Sequence, residues 1–344
     1  MNAPAKSPSH IVRQTRRSLA ALGFLVAASV FAQVGPEPAA MPVTVDASKG
    51  EFCLIVVPDT QRYAAYFPEI FRAQFRWIRD NATSLNVKFV VHVGDIVEEG
   101  EDHEWIVADE SFAMLDGVVP YLAVPGNHDL VRGSGVTGPR NTSKFNAVFS
   151  PKRFAGSKWY GGHKGVTSDN SFAYFTAGGQ QFMVLGLEYG PTDETLAWAD
   201  HLVSNHEDNH KVIVVTHCYM NHDDTRLGEG DKYNPRGACP EWNDGEGIWE
   251  KFVSRRKNVV MVLSGHVKDD GTGLLISKAD EDMPVLQMLA NYQFLEHGGQ
   301  GWLRILKFSP DQKHLEVFTY SPWLGTTRDE PDQQFAIDVP WMFP

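Results

Sequence analysis

Cysteine is scarce. The chain has three in 344 residues, Cys53, Cys218 and Cys239, and no Cys-x-x-Cys pair. That argues against a thiolate zinc site or a redox dithiol. An oxidising compartment permits a Cys218–Cys239 bridge with Cys53 left over; inside its apolar run, Cys53 also reads as a small core residue. Basic charge is short as well: 31 Lys+Arg face 43 Asp+Glu, for a formal net charge of −12. Phosphate backbones recruit basic faces, so nucleic acid is not expected as a partner. A small phosphorylated substrate remains compatible, because a local metal ion outweighs a diffuse surface charge. No apolar run reaches membrane-spanning length; that from Leu19 to Ala32 falls well short of the roughly 20 residues needed.

What the chain does have is core material. Apolar residues make up 42% and aromatics 11%, including nine Trp, which excludes disorder and suits one large α/β domain or two small ones. The first 32 residues stand apart. They carry Lys6, Arg13, Arg16 and Arg17, no acidic residue, and then the small apolar stretch ending Val30-Phe31-Ala32. This is the pattern of an export signal, with Gln33 beginning the mature chain, and it sets the expected location as periplasmic or secreted. Thr15-Arg16-Arg17-Ser18-Leu19-Ala20 resembles a twin-arginine signal, although paired arginines also occur in ordinary leaders. Residues 33–50 read as a Pro-, Ala- and Gly-containing linker, 51–325 as the main domain and 326–344 as a C-terminal extension.

Within 51–325, short apolar runs alternate with longer mixed segments. Strands are expected at Phe52–Val57, Val87–Val93, Val118–Val124, Phe182–Leu187, Val212–Thr216, Val259–Ser264, Val285–Leu289, Trp302–Phe308 and Leu315–Tyr320. Helices are expected at Glu69–Ile78, Thr195–Leu202 and Trp249–Val253. Continuous apolar runs bounded by Gly, Pro or Asp are strands covered on both faces, which points to an α/β sheet architecture. The Gly-, Ser- and Asn-rich stretch 130–180 reads as a long excursion over the active face.

Five of these runs end, within a few residues, in a side chain able to bind a metal: Asp59, Asp95, Asn127, His217 and His266. In open α/β sheets the carboxyl ends of strands form the ligand crevice, so these five converge. Taken singly, an Asp or His after a strand is ordinarily a turn or packing residue. The repeated arrangement is what carries the reading. Oxygen and imidazole donors without thiolate suit Mn, Fe, Zn or similar divalent ions.

In order, Asp59, Gly94-Asp95, Gly126-Asn127-His128-Asp129, His217 and Gly265-His266 resemble the calcineurin-like metallophosphoesterase superfamily over roughly 50–320. The resemblance implies a four-layer αββα sandwich of two mixed β-sheets flanked by helices, and hydrolysis of phosphate esters at a two-metal centre by a metal-bound hydroxide. It implies that Asp95 bridges both ions, that Asn127, His217 and His266 complete the second site, and that Asp59 serves the first. His128 matches the general acid beside the leaving group, with Asp129 orienting it. Two positions depart from the pattern. Asp59-Thr60-Gln61 replaces Asp-x-His, and Gly265-His266-Val267-Lys268 replaces Gly-His-x-His. Both missing histidines serve the first ion. The second site is therefore complete, and the first keeps Asp59, shared Asp95 and the Gln61 amide oxygen. One or two divalent ions (Mn, Fe, Zn or Mg) are expected, the first held weakly or as a hard ion such as Mg or Mn. Lys268 can supply charge in its place, or Asp269 or Asp270 can swing in, or Lys268 can simply point to solvent.

Arg132 and Arg226 are further candidates for the phosphate. Tyr63, Trp159, Tyr160, Tyr219 and Tyr292 lie near motif ends or in the long loop, with core filling as the ordinary alternative. Asn291-Tyr292-Gln293 follows a strand and can edge the pocket, whereas His92 reads as buried structure. The expected activity is a phosphomonoesterase or phosphodiesterase on small substrates. The alternatives are a non-catalytic binding protein for a phosphorylated or glycan ligand, and a hydrolase of another bond such as a pyrophosphate.

Overall fold

The structure is a computed structural model that describes residues 43–132, 140–311 and 313–343; the expected leader and most of the linker lie outside them. Strand β1 (Phe52–Val57) shows how the fold is laid out. All six of its residues are buried, and they alternate between two cores. Phe52, Leu54 and Val56 face a second sheet, while Cys53, Ile55 and Val57 face helices. A strand covered on both sides has no polar face to show, which is why it reads as an unbroken apolar run.

From β1 the chain runs through α1 (Gln61–Tyr66) and α2 (Pro68–Asn81) to β2 (Val87–His92), then α3 (Asp102–Ala113) and β3 (Tyr121–Ala123). Helix α2 starts on a proline whose fixed φ suits the first helical position. It buries Ile70, Phe71, Phe75 and Ile78, the expected stripe. Helix α3 opens with a reciprocal Glu101–Glu104 capping box. Next come α4 (Ser143–Val148), β4 (Tyr160–His163), β5 (Ser171–Ala177), β6 (Gln180–Leu187), α5 (Asp193–Ser204) and β7 (Lys211–Thr216). The remainder is α6 (Gly245–Lys251), β8 (Val259–Ser264), β9 (Thr272–Lys278), β10 (Pro284–Ala290), β11 (Leu303–Phe308), β12 (His314–Ser321), β13 (Thr326–Arg328) and β14 (Phe335–Asp338).

The first sheet has the order β13-β12-β11-β1-β2-β3, with β14 also on β12; the second has the order β4-β5-β6-β7-β8-β10-β9. Both are mixed. The β1, β2 and β3 run is parallel, as is the run β6, β7, β8, β10. The two sheets press together over one core. Helices α1–α4 cover the outside of the first sheet and α5 and α6 that of the second. This is the αββα sandwich expected.

Several expectations are corrected. The excursion at 130–180 contains α4 and two strands of the second sheet, so part of it is scaffold. The strand read at Val118–Val124 shortens to Tyr121–Ala123, because Pro120 and Pro125 cannot donate to a ladder. Helix α6 begins at Gly245, where Asp244 accepts the Gly247 N–H as N-cap, rather than at Trp249. The stretch from 326 on, read as an extension, supplies β13 and β14 to the first sheet. It also places the Phe343 ring against Phe52, Phe308 and Phe182, which belong to both sheets. Phe343→Ala is therefore expected to lower unfolding stability by about 3 kcal/mol, read as a lower urea midpoint at unchanged slope.

Candidate metal centre

The carboxyl ends of β1, β2 and β3 meet those of β7 and β8 at one rim. Two tight turns make the approach possible. Asp95 (φ 51°) and His266 (φ 73°) both adopt left-handed backbone, an arrangement that costs on the order of 1–3 kcal/mol each and persists only when the surroundings hold it. Gly126 and Gly265 are required by proximity. A Cβ at Gly126 would overlap the Asp95 carboxylate and backbone, and one at Gly265 would overlap the Asp59 carboxylate.

Hydrogen bonds decide which ring nitrogens are free. His217 Nδ1 lies 2.9 Å from the Val93 carbonyl, and His266 Nε2 lies 3.0 Å from the Tyr233 carbonyl. A carbonyl only accepts, so both of these nitrogens carry the proton. The other ring nitrogens, His217 Nε2 and His266 Nδ1, then face each other at 3.1 Å. Asp95 Oδ1 stands 3.1 Å from the same His217 Nε2, and Asn127 Oδ1 stands 3.2 Å from it. Four potential ligand atoms thus converge, the His217 nitrogen offering its lone pair once its Nε2 proton is displaced. Donors about 2.0–2.2 Å from a common ion sit roughly 3.3 Å apart, so a divalent cation fits this space and this chemistry. Among the described residues, Asp95, His217 and His266 are the carboxylate–imidazole group whose donor atoms all lie within 4.8 Å of one another.

The electrostatics agree. Burial would push the Asp95 carboxyl up, but the imidazoles of His217, His128 and His266 outweigh it and hold the group well below the usual range. Burial likewise opposes charge on His217, yet Asp95 and Asp59 beside it raise it to about 9. Burial and the neighbouring His217 push His266 down to about 3. One positive charge is wanted at this spot, and His217 is where a proton would supply it.

The Asp59 side is different. Asp59 is buried, and its carboxylate accepts from the His266 backbone N–H at 3.1 Å and from Gln293 Nε2 at 3.0 Å. Among the described residues no cationic nitrogen comes within 4.0 Å of it. Gln61 is 1% exposed, and its Oε1 has no hydrogen-bond donor. Lys268 is half-buried and does not pair with Asp59. Asp269 and Asp270 are exposed; Asp269 faces His222, and Asp270 accepts from Thr272 N.

Other expected site residues land as follows. His128 places Nδ1 2.7 Å from the Glu98 carbonyl, which therefore accepts, and its backbone N–H donates to Asp95 Oδ1 at 3.0 Å. The structure corrects the role expected for Asp129. Its carboxylate does not orient His128 but accepts the backbone N–H groups of Ile96, Val97 and Gly126, stapling the β2 and β3 turns together. Arg132 is exposed and paired with Glu99 at 2.9 Å, at the cleft wall. Arg226 is spent elsewhere, on Glu246, Ser277 and Gln287, and meets no site residue. The ring hydroxyls of Tyr63, Tyr219 and Tyr292 bond within the core, and Trp159 and Tyr160 pack beside it. His92 is buried between Thr60 and the Gly94 N–H, as expected. All three cysteines are free.

Sequence reasoning did not single out Glu98, Tyr189 and Tyr233, and gave Gln293 only as a pocket edge. Glu98 follows Asp95 by three positions, a usable signal; the loop carrying Tyr233 offers none. A cleft of about 330 Å³ opens beside the centre, with Asn127, His128, Glu98, Arg132, Tyr189 and Trp242 among its walls.

Such a donor set at the rim of two packed mixed sheets defines a metallophosphoesterase. The chain belongs to the calcineurin-like phosphoesterase family, whose model matches residues 54–269. A Bacillus subtilis protein, uncharacterized protein YvnB, is 34% identical over 289 residues, covering 80% of this chain and 20% of that protein. The chain thus spans about a fifth of the length of the curated relative it matches. Purple acid phosphatase PPD1 from yellow lupin (Lupinus luteus) seeds superposes with a TM-score of 0.50 at 13% identity, over 84% of this chain and 54% of that one, a likeness of fold. The family supports a metal-dependent phosphoester hydrolase in general.

Zinc added to chelator-stripped protein is expected to bind at one equivalent per chain. At free zinc a hundredfold above its Kd it should stabilise the fold by about 2.7 kcal/mol, seen as a rise in thermal midpoint that His217→Ala abolishes.

Proposed function

We propose that this chain hydrolyses phosphate esters of small alcohols, monoesters or diesters, at the centre formed by Asp95, Asn127, His217 and His266, with His128 as general acid. One observation carries the reading. Asp95 Oδ1, Asn127 Oδ1, His266 Nδ1 and, once an ion displaces its proton, His217 Nε2 converge beside a cleft whose wall includes His128. A divalent cation held there supplies Lewis acidity, neutralising phosphate charge and activating water.

The chain's own residues do the rest. Asn127 and Asp95 sit on turns locked by the Asp129 carboxylate, so their oxygens need no reorganisation. His128 has one ring nitrogen fixed on the Glu98 carbonyl, which leaves Nε2 to donate to the departing alkoxide. The charge of Asp95 holds this imidazole above its ordinary pKa, which favours the donor form. The cleft admits a small ester, and the acidic surface disfavours polyanionic chains. No helix among the described residues is long and apolar enough to cross a membrane. The leader-like segment supports action outside the cytoplasm, with Gln61 and Asp59 as a weaker seat for a second, hard ion.

His128→Ala is expected to lower kcat/KM for an alkyl phosphate about 10²- to 10⁴-fold with the bound zinc unchanged, whereas Asp95→Asn loses zinc and activity together. Full turnover by His128→Ala removes the general-acid role. A zinc-loaded wild type that turns over neither a monoester nor a diester favours the ligand-binding reading instead.

A further inference from the structure

We propose that the end of the sandwich opposite the metal centre carries a second ligand site, which takes a small molecule bearing a phosphate- or sulfate-type oxyanion. The inference is independent of the phosphoester reading.

A groove of about 530 Å³ opens there, where the parallel strands begin rather than end. Lys88 on β2, Lys158 just before β4, Thr176 on β5, Gln181 on β6 and His210 just before β7 are among its walls. The turn that carries Asp95 follows the far end of β2, a strand length of roughly 17 Å away. Among the described residues no Asp or Glu belongs to the groove wall. Lys144, Lys164, Lys251 and Lys257 each hold a carboxylate. Lys88 and Lys158 do not: among the described residues no carboxylate comes within 4.0 Å of either.

Lys88 is also the extra residue of a β-bulge. Cys53 pairs with Val87 and Leu54 with Phe89, which leaves Lys88 without a partner on β1. A bulge re-aims the side chain it carries. Lys88 is half-buried, where an unpaired ammonium costs more than it does at the surface. Lys211 adds to the field. It follows His210, and alternation along β7 puts it on the face of Ile213 and Val215, towards the first sheet. It too is half-buried with no carboxylate within 4.0 Å among the described residues, and burial holds its pKa below the usual lysine value. Positive charge therefore gathers beside a wall that has no acid to neutralise it, in a chain whose formal charge is −12. Thr176 and Gln181, both exposed and opposite each other across β5 and β6, add a hydroxyl and an amide donor. A tetrahedral oxyanion supplies the missing negative charge, and its several acceptor oxygens can meet donors from strands of both sheets.

The test titrates inorganic sulfate, glucose 6-sulfate and, as the neutral control, glucose into the zinc-loaded protein by calorimetry. Sulfates stand in for phosphates so that turnover does not obscure binding. Thermal midpoint and zinc content are measured for every variant. Lys88→Ala and Lys158→Ala are each expected to weaken binding of the sulfates about tenfold, with zinc content unchanged. Raising the ionic strength should weaken it in the wild type. His217→Ala, which removes a donor of the metal centre, should bind the sulfates as the wild type does. So should Arg76→Ala, which alters an exposed arginine on α2 outside the groove. Sulfate and its sugar ester bound alike would make the free ion the ligand, and a tighter ester would make it an organic one; both results keep the site. Binding lost with His217 but kept without the lysines would place the anion at the metal centre and overturn the proposal. Equal weakening by Arg76→Ala, which marks diffuse surface charge, would also overturn it, as would glucose bound as well as its sulfate or no binding at all.

Discussion

Two imidazole nitrogens, His217 Nε2 and His266 Nδ1, face each other across 3.1 Å. The contact needs a positive charge between them, a proton on His217 Nε2 or a cation in its place. It exists because the opposite side of each ring is tied to a backbone carbonyl, Val93 for one and Tyr233 for the other. The rest of the rim serves to hold this arrangement. The parallel strands aim the turns, two glycines let carboxylates approach backbone, and the Asp129 carboxylate bridges two turns through three N–H groups. Strained backbone at Asp95 and His266 belongs to the same constraint.

The two halves of the centre are unequal in kind. Nitrogen donors gather around His217, whereas only oxygen donors belong to Asp59 and Gln61. Asp59 is satisfied in part by N–H groups of its own chain, from His266 and Gln293. Gln61 is not. The donor set thus hardens from the His217 side towards Asp59.

The parts legible in the sequence were those that topology itself marks. Asp59, Asp95, Asn127, His217 and His266 each end an apolar run, and apolar runs covered on both faces are the plainest strand signal. What stayed hidden depends on partners distant along the chain. Asp129 follows the expected acid directly, yet its carboxylate turns to backbone groups more than thirty residues upstream. Arg226 sits in a loop that suggested substrate, yet its guanidinium is neutralised by Glu246 and lies over Trp249. Strands β4, β9, β13 and β14 are short, edge-placed or half-exposed, so no apolar run announces them. Pattern reads burial, and these segments have little of it.

The pairing of β1 with β11 has a kinetic corollary. Phe52 opposite Phe308 joins partners separated by most of the described chain. During synthesis the first strand emerges long before its antiparallel neighbour exists, with an apolar edge that has nothing to bond. Loop closure of that span must be met before the contact rewards it, so the first sheet cannot be completed until residues 303–308 have been made.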